Sequence, residues 1–275
     1  MGLRRIEGFT LVELIIVMVI LAILGVFSFS YVTFGARIFA DTSARQQLVA
    51  ESRFAIERLT RELKYIVPRS ARVSNGCIEF VPLLASSRYL ELPQASSGAS
   101  SRFIAIAPQT PSSLIDQWLF VYPTQSPHIY GSSSPRRQQI QSISTLSAQP
   151  DLLEITFNGT NTEFSQQSPA RRYYVGSTPI SWCYDEVNSR LIRFANYGLV
   201  ATQPSSAALL SGAGSAEVML DGLVNDLASG PGQQPFIVNP ASLQRNSLIL
   251  FDWSLLSPTG ERMQISHEVH LPNVP

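Results

Sequence analysis

The sequence predicts an α+β chain. One long N-terminal helix, with a membrane-embedded first half, packs on a mostly antiparallel β-sheet domain. Three observations predict this. No charged residue stands between Leu14 and Ala36. A helical apolar period continues beyond that run, and no proline precedes Pro68. After Pro68 the pattern changes to short β-rich runs separated by Ser, Pro, Gly and Gln.

Composition sets the outer bounds. The 275 residues suffice for one large domain or two small ones, and 45% hydrophobic against 15% charged residues allow a real core. Formal net charge is zero, so bulk charge gives no argument for a nucleic-acid or acidic partner. Lys64 is the sole lysine, a bias without a physical account.

The chain begins with a short basic stretch, residues 1–8, carrying Arg4 and Arg5. As a helix rising ~1.5 Å per residue, residues 14–36 reach across a hydrocarbon core of about 30 Å. The two arginines keep the N-terminus cytoplasmic and the remainder outside. A secretory signal predicts a shorter apolar region and a small-residue cleavage site, but "SFSYVTFGARIF" offers no such site. An uncleaved signal anchor fits the hydropathy but leaves Glu13 unexplained. A carboxylate at the centre of a membrane helix costs on the order of 2.5–3.5 kcal/mol, and less near an interface.

The stretch "RRIEGFTLVEL" resembles the class III signal of type IV prepilins. The resemblance implies that residues 1–8 are a leader removed by a prepilin peptidase between Gly8 and Phe9. The same enzyme would methylate the new N-terminus at Phe9, and Glu13 would become the fifth mature residue. Its expected role is in assembly, where it pairs with the α-amino group of an adjacent subunit. Elementary electrostatics agrees: cleavage creates an α-amino group, which ordinarily titrates near pH ~8 and so is cationic at neutral pH. Opposite charges attract far more strongly in low dielectric than in water.

The helix is expected over residues 9–67, with 9–36 as transmembrane and assembly segment and 37–67 as amphipathic half. At ~1.5 Å per residue it is roughly 85–90 Å long. Leu48, Ala55, Ile56, Leu59, Leu63 and Ile66 form its apolar stripe. Asp41/Arg45, Glu57/Arg61 and Arg58/Glu62 are spaced as pairs on a solvated face. Gly25 and Gly35 are the candidate flex points.

The β-rich body, residues 68–275, shows strand patterns in "CIEFVPLL", "RFIAIA", "QWLFVY", "LLEITF", "RRYYVG", "RLIRF", "EVMLDG" and "PFIVN". "SLILFDWSLL" and "ERMQISHEVHL" flank "SPTG" as a hairpin. Residues 92–101, 131–139 and 201–217 read as loops. If the body is exported, Cys77 and Cys183 can pair, and a bridge closing roughly a hundred residues adds about 4–5 kcal/mol in the chain-entropy account. Two separate buried thiols are the other reading.

Chemistry is sparse. In "HEVH", His267 and His270 fall on opposite sides of a strand, and His128 stands apart, so no metal site is expected. HExxH, GxSxG and P-loop patterns are absent, and no cofactor is expected. Trp118, Tyr122, Trp182, Tyr184 and Trp253 read as core. The pairs Arg136/Arg137 and Arg171/Arg172 are weak grounds for nucleic-acid binding.

The body extends the resemblance. "SRFAIERLTRELKYIVPRSARV", "NGCIEFVPLLASSRY", "ARRYYVGSTPISWCYDEVNSRLIRFANYG" and "ISHEVHLPNVP" resemble MSHA minor pilins of the MshO group, less so over 93–150 and 200–235. The resemblance implies a type IV pilin-like fold and a non-enzymatic minor pilin. Such a subunit sits in the bacterial inner membrane as a single pass with its body in the periplasm, then in the pilus at the cell surface, where it serves attachment. Its partners would be the prepilin peptidase, other major and minor pilins, the inner-membrane assembly platform, and lipid along 14–36. A type II secretion pseudopilin is one alternative; a pilus-tip module binding carbohydrate or DNA through Ser-rich loops is another. A signal-anchored periplasmic enzyme is a third, without a catalytic constellation.

Overall fold

The computed structural model describes residues 9–94, 102–109, 111–147, 149–159, 162–212, 214–228, 230, 233–239 and 246–271. Gly8 and the expected loop residues 95–101 lie outside these. Helix α1, Leu11–Lys64, has 54 residues and is about 80 Å long at ~1.5 Å per residue. Gly25 and Gly35 sit inside it without a break.

The helix stops at Lys64 rather than at Val67, because β-type bonds compete for the backbone. Val67 N donates to Val81 O at 2.8 Å, Leu83 N donates to Tyr65 O at 2.9 Å, and Ile66 bridges Pro82. The last turn of the expected helix thus belongs to the head.

The remaining elements follow in chain order: β1 (Arg72–Ser74), β2 (Cys77–Phe80), β3 (Leu83–Glu91), β4 (Phe103–Ile106) and β5 (Trp118–Val121). Then come α2 (Ser126–Tyr130), β6 (Arg137–Leu146), β7 (Gln149–Phe157), β8 (Arg172–Gly176), β9 (Ile180–Asp185) and β10 (Arg190–Ala195). α3 (Ser206–Leu210), β11 (Ser215–Asp221), β12 (Phe236–Asn239), β13 (Ser247–Leu256) and β14 (Arg262–Leu271) complete the chain.

The fold is α+β, and its strand pairs are antiparallel as expected, but they form three assemblies rather than one sheet. Strands β1-β2-β9-β10-β11 make a five-stranded sheet, β12-β13-β14 a three-stranded sheet, and β3-β4-β7-β6-β5-β8 a closed barrel. The barrel, residues 83–176, is inserted between β2 and β9. Those two strands are neighbours in register, Phe80 opposite Ile180. The pattern "CIEFVPLL" is therefore two strands in two assemblies, divided at Val81–Pro82.

Two expected loops contain regular structure. Arg137, at the end of 131–139, opens β6, and 201–217 contains α3 and the start of β11. β6 buries only Ile140 and β11 only Met219 and Leu220, so neither shows the apolar alternation of a half-buried strand.

The main core clamps the helix stripe between the two open sheets. Leu48, Ala55, Leu59 and Leu63 pack on Ile78, Trp182 and Leu191 from one sheet and on Phe251, Trp253 and Leu255 from the other. Fully burying one such leucine is worth about 1.5–3 kcal/mol, which the isolated amphipathic half lacks. Ser52 and Ala55, both 0% exposed, are small enough to let the sheets approach the helix. The barrel has its own core, where Phe103 meets Phe157, Tyr173 and Phe164 with ring centroids 5.4, 5.7 and 5.9 Å apart. At the far end, the SPTG hairpin closes through Ser257 N donating to Glu261 O at 2.8 Å, with Gly260 at a φ of 91°.

Candidate functional site

The N-terminus of α1 is built by Thr10. Its backbone is extended, with φ −85° and ψ 147°, and its hydroxyl accepts a hydrogen bond from Glu13 N at 3.3 Å. Thr10 and Glu13 have the spacing of a capping box, and Glu13 lies in the first turn, where the helix dipole favours an anion. Phe9 precedes the cap, one helical turn from Glu13, and is 69% exposed. Gly8 lies outside the described residues.

From Leu11 to Phe39 the helix keeps its large apolar side chains exposed; Tyr31 is 80% exposed and Phe29 76%. None of its most apolar window is buried against the head. By length and composition this segment can cross a membrane. Such a surface is stable only in lipid or against other apolar helices.

The other end of the helix is tied to the head by charge as well as by apolar packing. Glu62 accepts from Trp182 Nε1 at 2.9 Å, from Arg193 Nε at 2.9 Å and from Arg58 Nε at 3.4 Å. Arg58 also donates to Glu217 at 2.9 Å. Arg58/Glu62 is therefore an anchor between α1 and the five-stranded sheet, not a solvated pair. Arg45, expected opposite Asp41, reaches Glu261 on the β13–β14 hairpin at 3.5 Å. Glu62 was legible in principle: it stands next to the stripe positions Leu59, Leu63 and Ile66, where a carboxylate needs a partner.

Cys77 and Cys183 are joined across β2 and β9, where they are register partners with Cα atoms 4.0 Å apart. Both are 0% exposed and pack with Phe194 and Leu209 under α3. Beside them lies a buried charge. Glu79, 0% exposed, accepts from Arg72 and from the Tyr197 hydroxyl, the latter at 2.8 Å. Arg72 stacks over the Tyr130 ring at 3.6 Å and donates to Val200 O at 2.9 Å. Burial pushes the Glu79 carboxyl up, against the pull of Arg72 and Tyr197, and pushes the Tyr130 and Tyr197 hydroxyls well up. Every donor here is spent on the protein itself, and Glu79 offers a substrate no surface.

Arg136 and Arg137, already weak grounds for nucleic-acid binding, brace the fold. Arg137 stacks over Trp118 at 4.5 Å and donates to Ile129 O; Arg136 donates to Tyr122 O at 2.8 Å. His267 lies against Phe251, with ring centroids 5.8 Å apart, while His270 points to Glu268 at 3.9 Å. Among the described residues no group of three or more His, Cys, Asp or Glu is placed to hold a metal.

Residues 3–29 match the family model described as the prokaryotic N-terminal methylation motif. No curated protein and no solved structure matches the chain. The matched segment covers Arg4, Arg5, the Gly8–Phe9 step, Glu13 and the first turns of α1. With the long apolar helix and the antiparallel head, this motif supports a membrane-anchored, type IV pilin-like or pseudopilin protein.

Proposed function

We propose that this chain is a minor type IV pilin of the MSHA type. A prepilin peptidase cuts between Gly8 and Phe9 and methylates Phe9. The mature subunit rests in the inner membrane through residues 14–36, with its head in the periplasm. The assembly platform then moves it into a pilus, among major and minor pilins, where it serves surface attachment, at the tip in particular. It performs no catalysis and needs no cofactor.

One observation carries this reading. Glu13, within the matched motif, lies in the first turn of an apolar helix that the head leaves uncovered. The amine released at Phe9 on a neighbouring helix gives that carboxylate a counter-charge, and lateral packing gives the apolar surface a partner. The dispersed body resemblance supports the MSHA assignment over a type II secretion pseudopilin.

The test is N-terminal mass spectrometry of the native protein made with its cognate peptidase. An N-methylated Phe9 is expected; an intact Met1 overturns the reading. Deleting the gene is expected to abolish or shorten pili and leave protein secretion unchanged, whereas the reverse result identifies a secretion pseudopilin.

A further inference from the structure

Arg88 on β3 and Arg172 on β8 stand directly opposite each other in the antiparallel register, and Ser86 and Tyr174 form the next pair on the same face. Directly opposed residues have Cβ atoms about 4.5–5.5 Å apart, and like charges so placed repel. This face is the outside of the barrel, because Tyr89, Tyr173 and Val175, which alternate with it, lie in the barrel core.

Both pairs line a cavity of about 650 Å³ between the barrel, the end of α1 and the three-stranded sheet. Lys64 and Arg69 line it too, and no described lining residue is a carboxylate. A chain of zero net charge has gathered four cations around one concavity. Low-dielectric walls focus such a field toward an anion. The remaining walls are apolar, as at Leu83, Val238 and Leu271, or carry hydroxyls, as at Thr124, Ser126 and Ser247.

That chemistry selects a ligand with a carboxylate, hydroxyls and an apolar ring face. A bare phosphate lacks the apolar face, and a neutral sugar brings no counter-charge to two opposed guanidiniums. The volume lies within the ~300–1,000 Å³ typical of ligand sites and suits a di- or trisaccharide. The headgroups of a membrane around residues 14–36 are out of reach, because 28 helical residues, about 42 Å at ~1.5 Å each, separate Ala36 from Lys64 at the cavity. We propose that this cavity binds an acidic oligosaccharide, with a carboxylate seated between Arg88 and Arg172. The proposal rests on the pilin reading only in placing the cavity outside the cell.

The experiment is calorimetric titration of the full-length protein in detergent micelles with trigalacturonate, with maltotriose as the neutral probe and inorganic phosphate as the small anion. Trigalacturonate is expected to bind at least about tenfold more tightly than maltotriose, and to weaken as salt is raised. Arg88→Glu is expected to weaken trigalacturonate by at least about tenfold while holding or raising Tm, since it turns a repulsive cross-strand pair into an attractive one. Arg88→Lys, which keeps the charge, should restore binding to within about threefold. Equal binding of the two saccharides, an unaffected Arg88→Glu variant, or equal competition by phosphate would overturn the proposal. Failure here leaves Phe9 processing untouched, and an intact Met1 leaves a positive titration standing, so the two readings fail separately.

Discussion

Trp182 donates its indole N–H to Glu62 at 2.9 Å, joining the five-stranded sheet to the last turn of the long helix. The same carboxylate accepts from Arg193 at 2.9 Å. Trp182 is 0% exposed, so its indole has no water to fall back on, while the Arg193 side chain, 14% exposed, also has Glu217 at 3.8 Å. Glu62→Ala is expected to cost about 2–3 kcal/mol, because it strands the buried indole donor and removes the closer of the two carboxylates beside Arg193. Thermal unfolding should shift down by roughly 5–10 °C. Glu62→Gln, which keeps one acceptor, should lose about half as much.

Gly176 ends β8 at the point where the barrel returns to the five-stranded sheet. A Cβ there would stand 2.5 Å from Val81 Cγ1, 2.8 Å from Val67 Cγ2 and 3.1 Å from Pro82 O. Val67 and Val81 are 0% exposed and cannot swing aside. Gly176→Ala should therefore destabilise by about 1–3 kcal/mol through overpacking, read as a lower Tm. Gly25→Ala, where nothing lies within 4 Å of the added carbon, should be neutral or slightly stabilising in the same assay.

The Cys77–Cys183 bridge spans a sequence separation of 106 residues and is sealed beneath α3. Replacing both cysteines by serine is expected to cost about 3–5 kcal/mol. Thiol titration of the native protein should find no reactive sulfhydryl, and reduction should require unfolding first. Rapid reduction under native conditions would contradict the buried bridge.

Tyrosines set the alkaline limit. Burial raises the Tyr173 hydroxyl from 10.0 to about 12 and pushes those of Tyr130 and Tyr197 well up. Above pH 10.0 the unfolded chain releases these protons while the folded chain keeps them, so stability falls as pH rises, from 10.0 towards about 12 for Tyr173. Phenolate absorbance of these buried rings should appear together with the loss of near-ultraviolet dichroism. Their titration ahead of unfolding would refute this.

Glu13→Ala is expected to leave the membrane-bound pool intact and to remove the subunit from sheared filaments. Breaking a buried charge pair costs about 3–5 kcal/mol, enough to exclude a subunit that competes for a place. Glu13→Gln, nearly isosteric but uncharged, should be excluded as well. Normal incorporation of either variant would rule out the pairing role.

The helix, its stripe and the terminal hairpin were legible because their periods are long and clean: Leu48, Ala55, Leu59 and Leu63 repeat on one face, and SPTG sits between two alternating runs. The N-terminal methylation motif over residues 3–29 was legible as well. The barrel was not. β6 buries only Ile140, and β3 alternates weakly through Ala85, Ser86 and Ser87, so neither advertises a strand. Nor does local pattern reveal that β2 and β3 part company at Val81–Pro82. That division is set by long-range bonds to Val67 and Tyr65. The opposed Arg88 and Arg172 depend on strand register between segments far apart in sequence, which no local pattern encodes.

Residues 83–176 leave and re-enter the five-stranded sheet through adjacent strands, so the barrel is an insertion in that sheet. The β2–β9 pairing and its disulfide lie outside the insertion, while Tyr130 within it carries Arg72 and donates to Ser70 O, and Val81 at its entrance accepts from Val67 N. A change in the length of the barrel's loops is thus absorbed between two strands whose register a covalent bond holds.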